Sequence, residues 1–202
     1  MVSEVDFATI FDEFYERVIR YVTRIVGQND SEDVAQEVFE KISKGIGNFR
    51  GESRLSTWIY RIATHTALDK LRAQASKQLA KHGGLVEAVD VEAGNQGTSP
   101  SVSHPEQNLI QREMNECVRE YVDNLAPGYR TALILSEMEG FKNQEIADIL
   151  QISLDSVKIR LHRARAKLKR ELETGCTFYH NDQGCLACDR KAVVNNTGRI
   201  RT

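Results

Sequence analysis

Three of the four cysteines fall within thirteen residues near the C-terminus, as Cys176-x8-Cys185-x2-Cys188, with His180 between them. Cys-x2-Cys after a glycine is a knuckle that aims two thiolates at one ion, and Cys176 with His180 would complete the tetrahedral Cys3His set that zinc prefers. The eight-residue gap is shorter than that of ordinary zinc fingers. The same thiols would also serve as a redox sensor, or the tail is chemically inert, and the spacing leaves all three readings open. A second stretch has a different chemistry. Between Leu154 and Leu172 stand Lys158, Arg160, Arg163, Arg165, Lys167, Lys169 and Arg170 against only Asp155 and Glu171, a local surplus of five positive charges in a chain whose formal net charge is −2. That concentration offers a surface to a polyanion. A third is acidic: Glu32, Asp33, Gln36, Glu37 and Glu40 recur along one helix face and suit a basic partner or a solvated surface. There is no Gly-rich phosphate loop, no nucleophile–base signature and no paired-carboxylate arrangement that calls for an enzyme.

These groups must be positioned by helices. The basic stretch follows a short helix, Gln144 to Leu150, with Ile146, Ala147, Ile149 and Leu150 on one side, and a turn at Gln151-Ile152. Ser153 then N-caps a second helix, with Asp155 favoured in its first turn by the helix dipole. Val157, Leu161, Ala164, Leu168 and Leu172 form its core stripe. That is a helix-turn-helix. Upstream, Phe7, Phe11, Phe14, Val18, Val22 and Ile25 make one helical stripe ended by Gly27. Asp30 is expected to cap a second helix with core residues Val34, Val38, Phe39, Ile42 and Ile46. After the polar loop Gly47–Ser56, with Ser56 as cap, a third helix carries Trp58, Ile59, Ile62, Ala63, Leu68 and Leu71 to about Gln74. Trp58 sits within that apolar stripe and reads as core rather than as a wedge. Leu109, Ile110, Met114, Cys117, Val118, Tyr121 and Leu125 open a second helical unit, in which Cys117 is a small core residue. Ala126-Pro127-Gly128 breaks it, and Tyr129, Leu133, Leu135 and Met138 supply another helix ending near Gly140.

With 202 residues, 41% hydrophobic and 28% charged, the chain is long enough for one or two cored domains. No apolar run approaches the ~20 residues of a membrane span, so no membrane insertion is expected. MVSEVDF lacks the basic and apolar regions of a signal peptide. A cytoplasmic chain follows, in which structural disulfides are disfavoured. From His82 to Glu106 there is no Lys or Arg, and Gly, Ser, Asn, Gln and Pro punctuate an acidic linker. The architecture expected is all-α: a domain over 1–75, a linker over 76–104, a second domain over 105–173 and a Cys-rich tail over 174–202.

QEIADIL-QISLDSVKIRLHRARAKL resembles region 4.2 of the group IV, extracytoplasmic-function (ECF) sigma factors of the sigma-70 family. That family often has glycine where this chain has Gln151, which implies a left-handed turn there that costs a non-glycine residue about 1–2 kcal/mol. DSEDVAQEVF, Asp30 to Phe39, resembles their region 2.2, and NFRGESRLSTWIYRIATHTALDKLR, Asn48 to Arg72, their region 2.3. The resemblance covers about residues 5–75 and 105–173 and implies a bacterial initiation factor with core RNA polymerase and promoter DNA as partners. It implies that Glu32, Asp33, Gln36, Glu37 and Glu40 dock on the polymerase. The −10 element would be handled by Asn48, Phe49, Arg50, Glu52, Ser53, Arg54, Arg61 and His65, with Lys70 and Arg72 near the backbone. His65 stands where the family commonly has Asn, and it either contacts a base or is a plain surface residue. For the −35 element the resemblance implies Ser153, Asp155, Ser156, Lys158 and Arg160 at bases and Arg163 and Lys167 at phosphates. The acidic linker resembles the family's connector between regions 2 and 4; a passive tether is the plainer reading. No cofactor is required. An anti-sigma factor packed between the domains is implied by the family, although a self-regulating tail would replace it. Some members carry a Cys-rich C-terminal extension that senses metal or redox state, which fits zinc or another metal at Cys176, His180, Cys185 and Cys188. Two readings of other kinds stay open: a helix-turn-helix regulator that acts without core polymerase, and a metal or thiol sensor with a DNA module as output.

Overall fold

The computed structural model describes residues 6–82, 118–180 and 186–191. The expectations for Cys117, the linker beyond His82 and Cys185 lie outside them. Three helices form the first unit: α1 (Phe7–Val26), α2 (Gln28–Gly45) and α3 (Leu55–His82). A single residue, Gly27 at φ 84°, joins α1 to α2, a left-handed geometry that glycine adopts without strain. The α1 stripe buries Phe14, Val18, Val22 and Ile25 as its periodicity predicts, together with Ile10 and Tyr21. Phe11 departs from that expectation and stays 38% exposed.

Two caps differ from expectation. Asp30 lies inside the first turn of α2, which begins at Gln28. Its carboxylate turns to α3, pairing with Lys70 at 2.8 Å and accepting from Gln74 at 2.7 Å. A partner on a neighbouring helix has drawn it away from the local cap. The third helix begins at Leu55, ahead of Ser56, and the Trp58 amide donates to the Arg54 carbonyl. It runs to His82, beyond the expected end near Gln74. A short 3-10 turn, Ile46–Asn48, lies between α2 and α3.

The second unit has a helical segment over 118–123, then α4 (Pro127–Glu137), α5 (Asn143–Leu150) and α6 (Leu154–Gly175). Pro127 opens α4, where its missing N–H costs nothing. Gln151 sits at φ 53°, ψ 46°, the left-handed turn expected between α5 and α6. The Ser153 hydroxyl accepts from the Ser156 amide at 3.2 Å, as the cap expectation required.

Among the described residues the all-α expectation has one exception. A two-stranded antiparallel hairpin, β1 (Cys176–His180) and β2 (Leu186–Arg190), follows α6 directly. Among the links that seat it, Arg190 pairs with Glu120, and the Lys191 amide donates to the Gly175 carbonyl at 2.8 Å. A Cβ at Gly175 would overlap the Tyr121 hydroxyl, so only glycine permits this approach.

The two helical units share a core. Ile59, Tyr60, Ala63 and Ala67 of α3 belong to the same buried cluster as Ala132, Ile134 and Leu135 of α4 and Ile146, Ile149 and Leu150 of α5.

Candidate nucleic-acid and polymerase interfaces

Glu32, Asp33, Gln36, Glu37 and Glu40 are all exposed, because Val34, Ala35, Val38 and Phe39 take the buried side of α2. Glu37 pairs with Lys41 at 2.8 Å and Glu40 with Lys44 at 3.8 Å, surface pairs of small energetic weight. Beside this acidic row lies a groove of about 610 Å³ floored by Phe7, Phe11, Tyr15 and Phe39, with Glu32, Gln36 and Glu40 among its other lining residues. Phe11 stacks on Tyr15 at 4.8 Å and meets Phe39 edge-on at 5.0 Å. The sequence reading missed Phe11 as a surface residue. Its place on the α1 stripe disguised it, and an aromatic at the far edge of a stripe was the available signal.

A pocket of about 450 Å³ at the start of α3 gathers Asn48, Phe49, Arg50, Glu52, Ser53 and Arg61 of the expected −10 set. Trp58 also lines it, half-buried and tilted against Phe49 at 5.4 Å. It is therefore both a prop of the core and part of a wall. Such a cavity, with an aromatic wall and amide, hydroxyl, carboxylate and guanidinium groups, suits an unstacked base with its phosphate. Arg54 and His65 do not line it. Arg54 faces Glu145 at 3.3 Å, and His65 donates from Nε2 to the Ile149 carbonyl at 3.2 Å. Arg61 is engaged too, donating from Nε to the Asp148 carbonyl at 2.9 Å, and Asp148 itself lines the pocket. Lys70 is held by Asp30, which raises the ammonium above its ordinary range and lowers the carboxyl below its own, in each case chiefly through their mutual hydrogen bond. Arg72 pairs with Asp69 at 2.7 Å.

On α6, Val157, Leu161 and Ala164 are buried. That leaves Ser153, Asp155, Lys158 and Arg163 exposed, with Ser156, Arg160 and Lys167 half-buried. Lys158 meets Asp155 at 3.2 Å, while the Arg160 guanidinium packs over Gly128 at the start of α4. The sequence reading missed Ile159, which is 50% exposed amid the cations; an apolar side chain there matches a thymine methyl in a major groove. Asn143, Lys158, His162, Arg165 and Lys169 line a cleft of about 370 Å³ along the same helix. Arg165 also pairs with Glu137 at 2.6 Å, and its hydrogen bond holds that carboxyl below the usual range.

In the hairpin, Cys176 stands opposite Arg190, Phe178 opposite Cys188 and His180 opposite Leu186. Cys176, His180 and Cys188 therefore share one face. Cys176 is buried, with Sγ 3.8 Å from the Tyr121 hydroxyl. Cys176 and Cys188 are diagonal neighbours, but Cys176 and His180 lie four strand steps apart, about 13 Å. That is too far to share one tetrahedral ion at about 2.3 Å from sulfur and 2.1 Å from nitrogen. The Cys3His set thus does not fit this register. Among the described residues no three or more His, Cys, Asp and Glu side chains gather as a metal-holding group.

Comparison with known proteins adds sequence and fold. The family model for Sigma-70 region 2 matches residues 10–77, and that for Sigma-70 region 4 matches residues 115–168. The ECF RNA polymerase sigma-E factor of Haemophilus influenzae is 33% identical over 168 residues, covering 83% of this chain and 87% of the relative. The sigma-E factor of Escherichia coli K12 is 32% identical over 160 residues, 79% and 83% of the two chains. Among solved structures, the sigma factor RpoE in complex with the anti-sigma factor NepR from Bartonella quintana superposes with a TM-score of 0.63 at 19% identity, over 83% of this chain and 97% of that one. CnrH in complex with the cytosolic domain of CnrY gives 0.55 at 20% identity, over 83% and 88%.

Proposed function

The chain belongs to the ECF RNA polymerase sigma factors of the sigma-70 family and directs transcription initiation with core RNA polymerase, and we propose that it divides this work among three surfaces. The exposed carboxylates and amide of α2, Glu32, Asp33, Gln36, Glu37 and Glu40, meet basic groups of the polymerase. The pocket of Asn48, Phe49, Arg50, Glu52, Ser53 and Arg61 takes an unpaired base of the −10 element. The N-terminal half of α6 enters the major groove at the −35 element, with Ser153, Asp155, Ser156, Lys158 and Arg160 toward bases and Arg163 and Lys167 toward phosphates. The observation that carries this reading is the convergence of six residues on one pocket at the start of α3, in a family whose members work on melted promoters.

The protein performs no bond-making of its own in this reading; the polymerase supplies the chemistry and the chain supplies promoter choice. It acts in the cytoplasm, where polymerase and promoter are. Among the described residues no helix is long and apolar enough to cross a membrane. An anti-sigma factor is a natural partner, since the sigma factor RpoE above was captured with the anti-sigma factor NepR. The test is run-off transcription with purified core polymerase on a promoter recovered by selection from a random library. Replacing Glu37 and Glu40 together by Lys should abolish polymerase binding. Asn48→Ala should spare polymerase binding and cut open-complex formation. Loss of neither activity would refute the division.

For the tail, we propose a thiol element set by metal or oxidant, supported by Cys176 and Cys188 on one face of a hairpin anchored to the DNA-binding unit. Measuring bound metal per chain in reduced protein, with Cys185→Ser alongside, separates the readings. One equivalent lost in the variant marks a metal clip, whereas no metal with reversible thiol oxidation marks redox control.

A further inference from the structure

Among the described residues Ile159 is the most exposed of the large apolar side chains, at 50%. It stands two positions after buried Val157 and two before buried Leu161. Two steps of ~100° carry it to the side of α6 away from the core. Asp155, Ile159, His162 and Ala166, at steps of four, three and four, form one exposed ridge along that side. Lys and Arg stand on both flanks of the ridge and nowhere on it. Lys158, Arg165 and Lys169 occupy one flank, Arg163 and Arg170 the other, and all five are exposed. A duplex major groove has the matching cross-section, with phosphates along two walls and base edges on the floor. The ridge is the part of α6 that such a floor would meet.

Local structure gives no reason for isoleucine at this place. A β-branched residue is a poorer helix former than Lys, Arg or Ala, and on the outer face it gains no core packing in return. For contact with a flat partner it has two advantages. Its branched side chain holds one dominant rotamer in a helix, so its methyl groups sit at a fixed point and lose little freedom on docking. It also has neither donor nor acceptor. Of the features that bases display in the major groove, only the thymine C5 methyl is apolar. A cytosine in the same place would bury its N4 amino donor against hydrocarbon, and a purine its N7 acceptor, each without a partner.

We infer that Ile159 is a specificity-determining residue of the −35 interface, selecting thymine at one base pair through contact with its C5 methyl. The inference rests on the placement of α6 in the major groove given under Proposed function, and it adds a residue to the base-reading set named there. Discrimination at that pair comes from two sources. Thymine gains a buried methyl contact, and the other bases lose hydration of a polar edge that Ile159 cannot replace. The flanking cations hold the helix in the groove without regard to sequence, so the choice of base at this pair falls to an uncharged side chain.

The experiment uses the full chain, reduced and bound to core polymerase, with a promoter recovered by selection from a random library. Each thymine on either strand of its −35 element is replaced singly by deoxyuridine, which removes the C5 methyl and nothing else. Competition against the fluorescein-labelled parent duplex reads affinity. One replacement is expected to weaken binding by the parent chain about fourfold, the effect of one buried methyl group. In Ile159→Ala, thymine and uracil at that position should bind alike, with the melting temperature of the free chain unchanged. Ile159→Gln should move the preference there to adenine, whose N6 and N7 pair with a glutamine amide. A methyl effect that survives Ile159→Ala, a thymine preference kept by Ile159→Gln, or an element in which no methyl matters would each overturn the inference. Scrambling the whole −35 element separates the two failures. If scrambling weakens binding by the parent chain while no methyl matters, only the reading by Ile159 is lost. If scrambling changes nothing, the placement of α6 proposed above fails as well.

Discussion

Arg130 of α4 donates from Nη2 to the Ile25 carbonyl at 2.9 Å, across 105 residues of sequence. Its Nη1 donates to the Asp123 carbonyl at 3.0 Å, and its side chain is 4% exposed. Burial pulls the guanidinium below its ordinary range and, at Asp123, pushes the carboxyl above its own despite the arginine nearby. Replacing Arg130 by Met would take a donor from the buried Ile25 carbonyl and from the part-buried Asp123 carbonyl. A loss of about 2–4 kcal/mol is expected, read by urea or thermal unfolding. A loss below half a kcal/mol would show that the contact is incidental.

The Asp30–Lys70 pair contributes to the acid limb of the stability profile. The hydrogen bond from Lys70 holds the Asp30 carboxyl below the usual carboxylate range, so the folded chain favours its charged form. The stability this adds is present above the unfolded-chain value near ~3.9 and is lost as pH falls through the lower folded value. Asp30→Asn should flatten the fall in melting temperature below about pH 4. An unaltered acid limb would assign it to other carboxylates.

Gln151 sits in the left-handed region at φ 53°. Gln151→Gly should relieve that strain and raise stability by about 0.5–1 kcal/mol, the left-handed penalty less the backbone entropy that glycine loses. Thermal melts check this, and a lowered melting point would show that the turn's side chain contributes more than its strain costs.

Arg163 is exposed on α6, away from the buried stripe. If it neutralises one phosphate, Arg163→Ala should reduce the slope of log affinity against log salt on promoter duplex by about one and weaken all sequences alike. A sequence-dependent loss would instead make it a base contact.

Gly175→Ala should push Tyr121 aside and loosen the hairpin. Cys176, 2% exposed in its present seat, should then alkylate about tenfold faster, which corresponds to about 1.4 kcal/mol of easier local opening. Mass spectrometry of iodoacetamide-treated protein gives the rate for this cysteine alone.

The parts of this molecule that repeat at helical spacing were readable from the residues. The Phe14, Val18, Val22, Ile25 stripe and the Ser153 cap are local events, fixed by neighbours three or four positions away, while the left-handed Gln151 followed from the family's glycine at that turn. What was not readable depends on partners far along the chain. Asp30 has the chemistry of a cap and the position of an interior residue because Lys70 and Gln74 compete for it. Arg61 and His65 carry no sign that carbonyls 87 and 84 residues away would occupy them. The hairpin was hidden because five-residue strands leave little periodicity, and its seat depends on Gly175 meeting Tyr121. Sequence spacing groups the four candidate metal ligands as one set, while strand register parts Cys176 from His180.

The hairpin grows straight out of α6 without a loop, since Cys176 follows Gly175 directly. A 22-residue helix is about 33 Å long, and the residues proposed to read bases occupy the opposite end from the cysteines. If the thiols act as proposed, a change at the cysteines would reach DNA as the swing of a rigid lever about the buried fulcrum of Val157, Leu161 and Ala164. Its signature would be a uniform change in the affinity of the whole helix, with the preferred base at each promoter position left as it was.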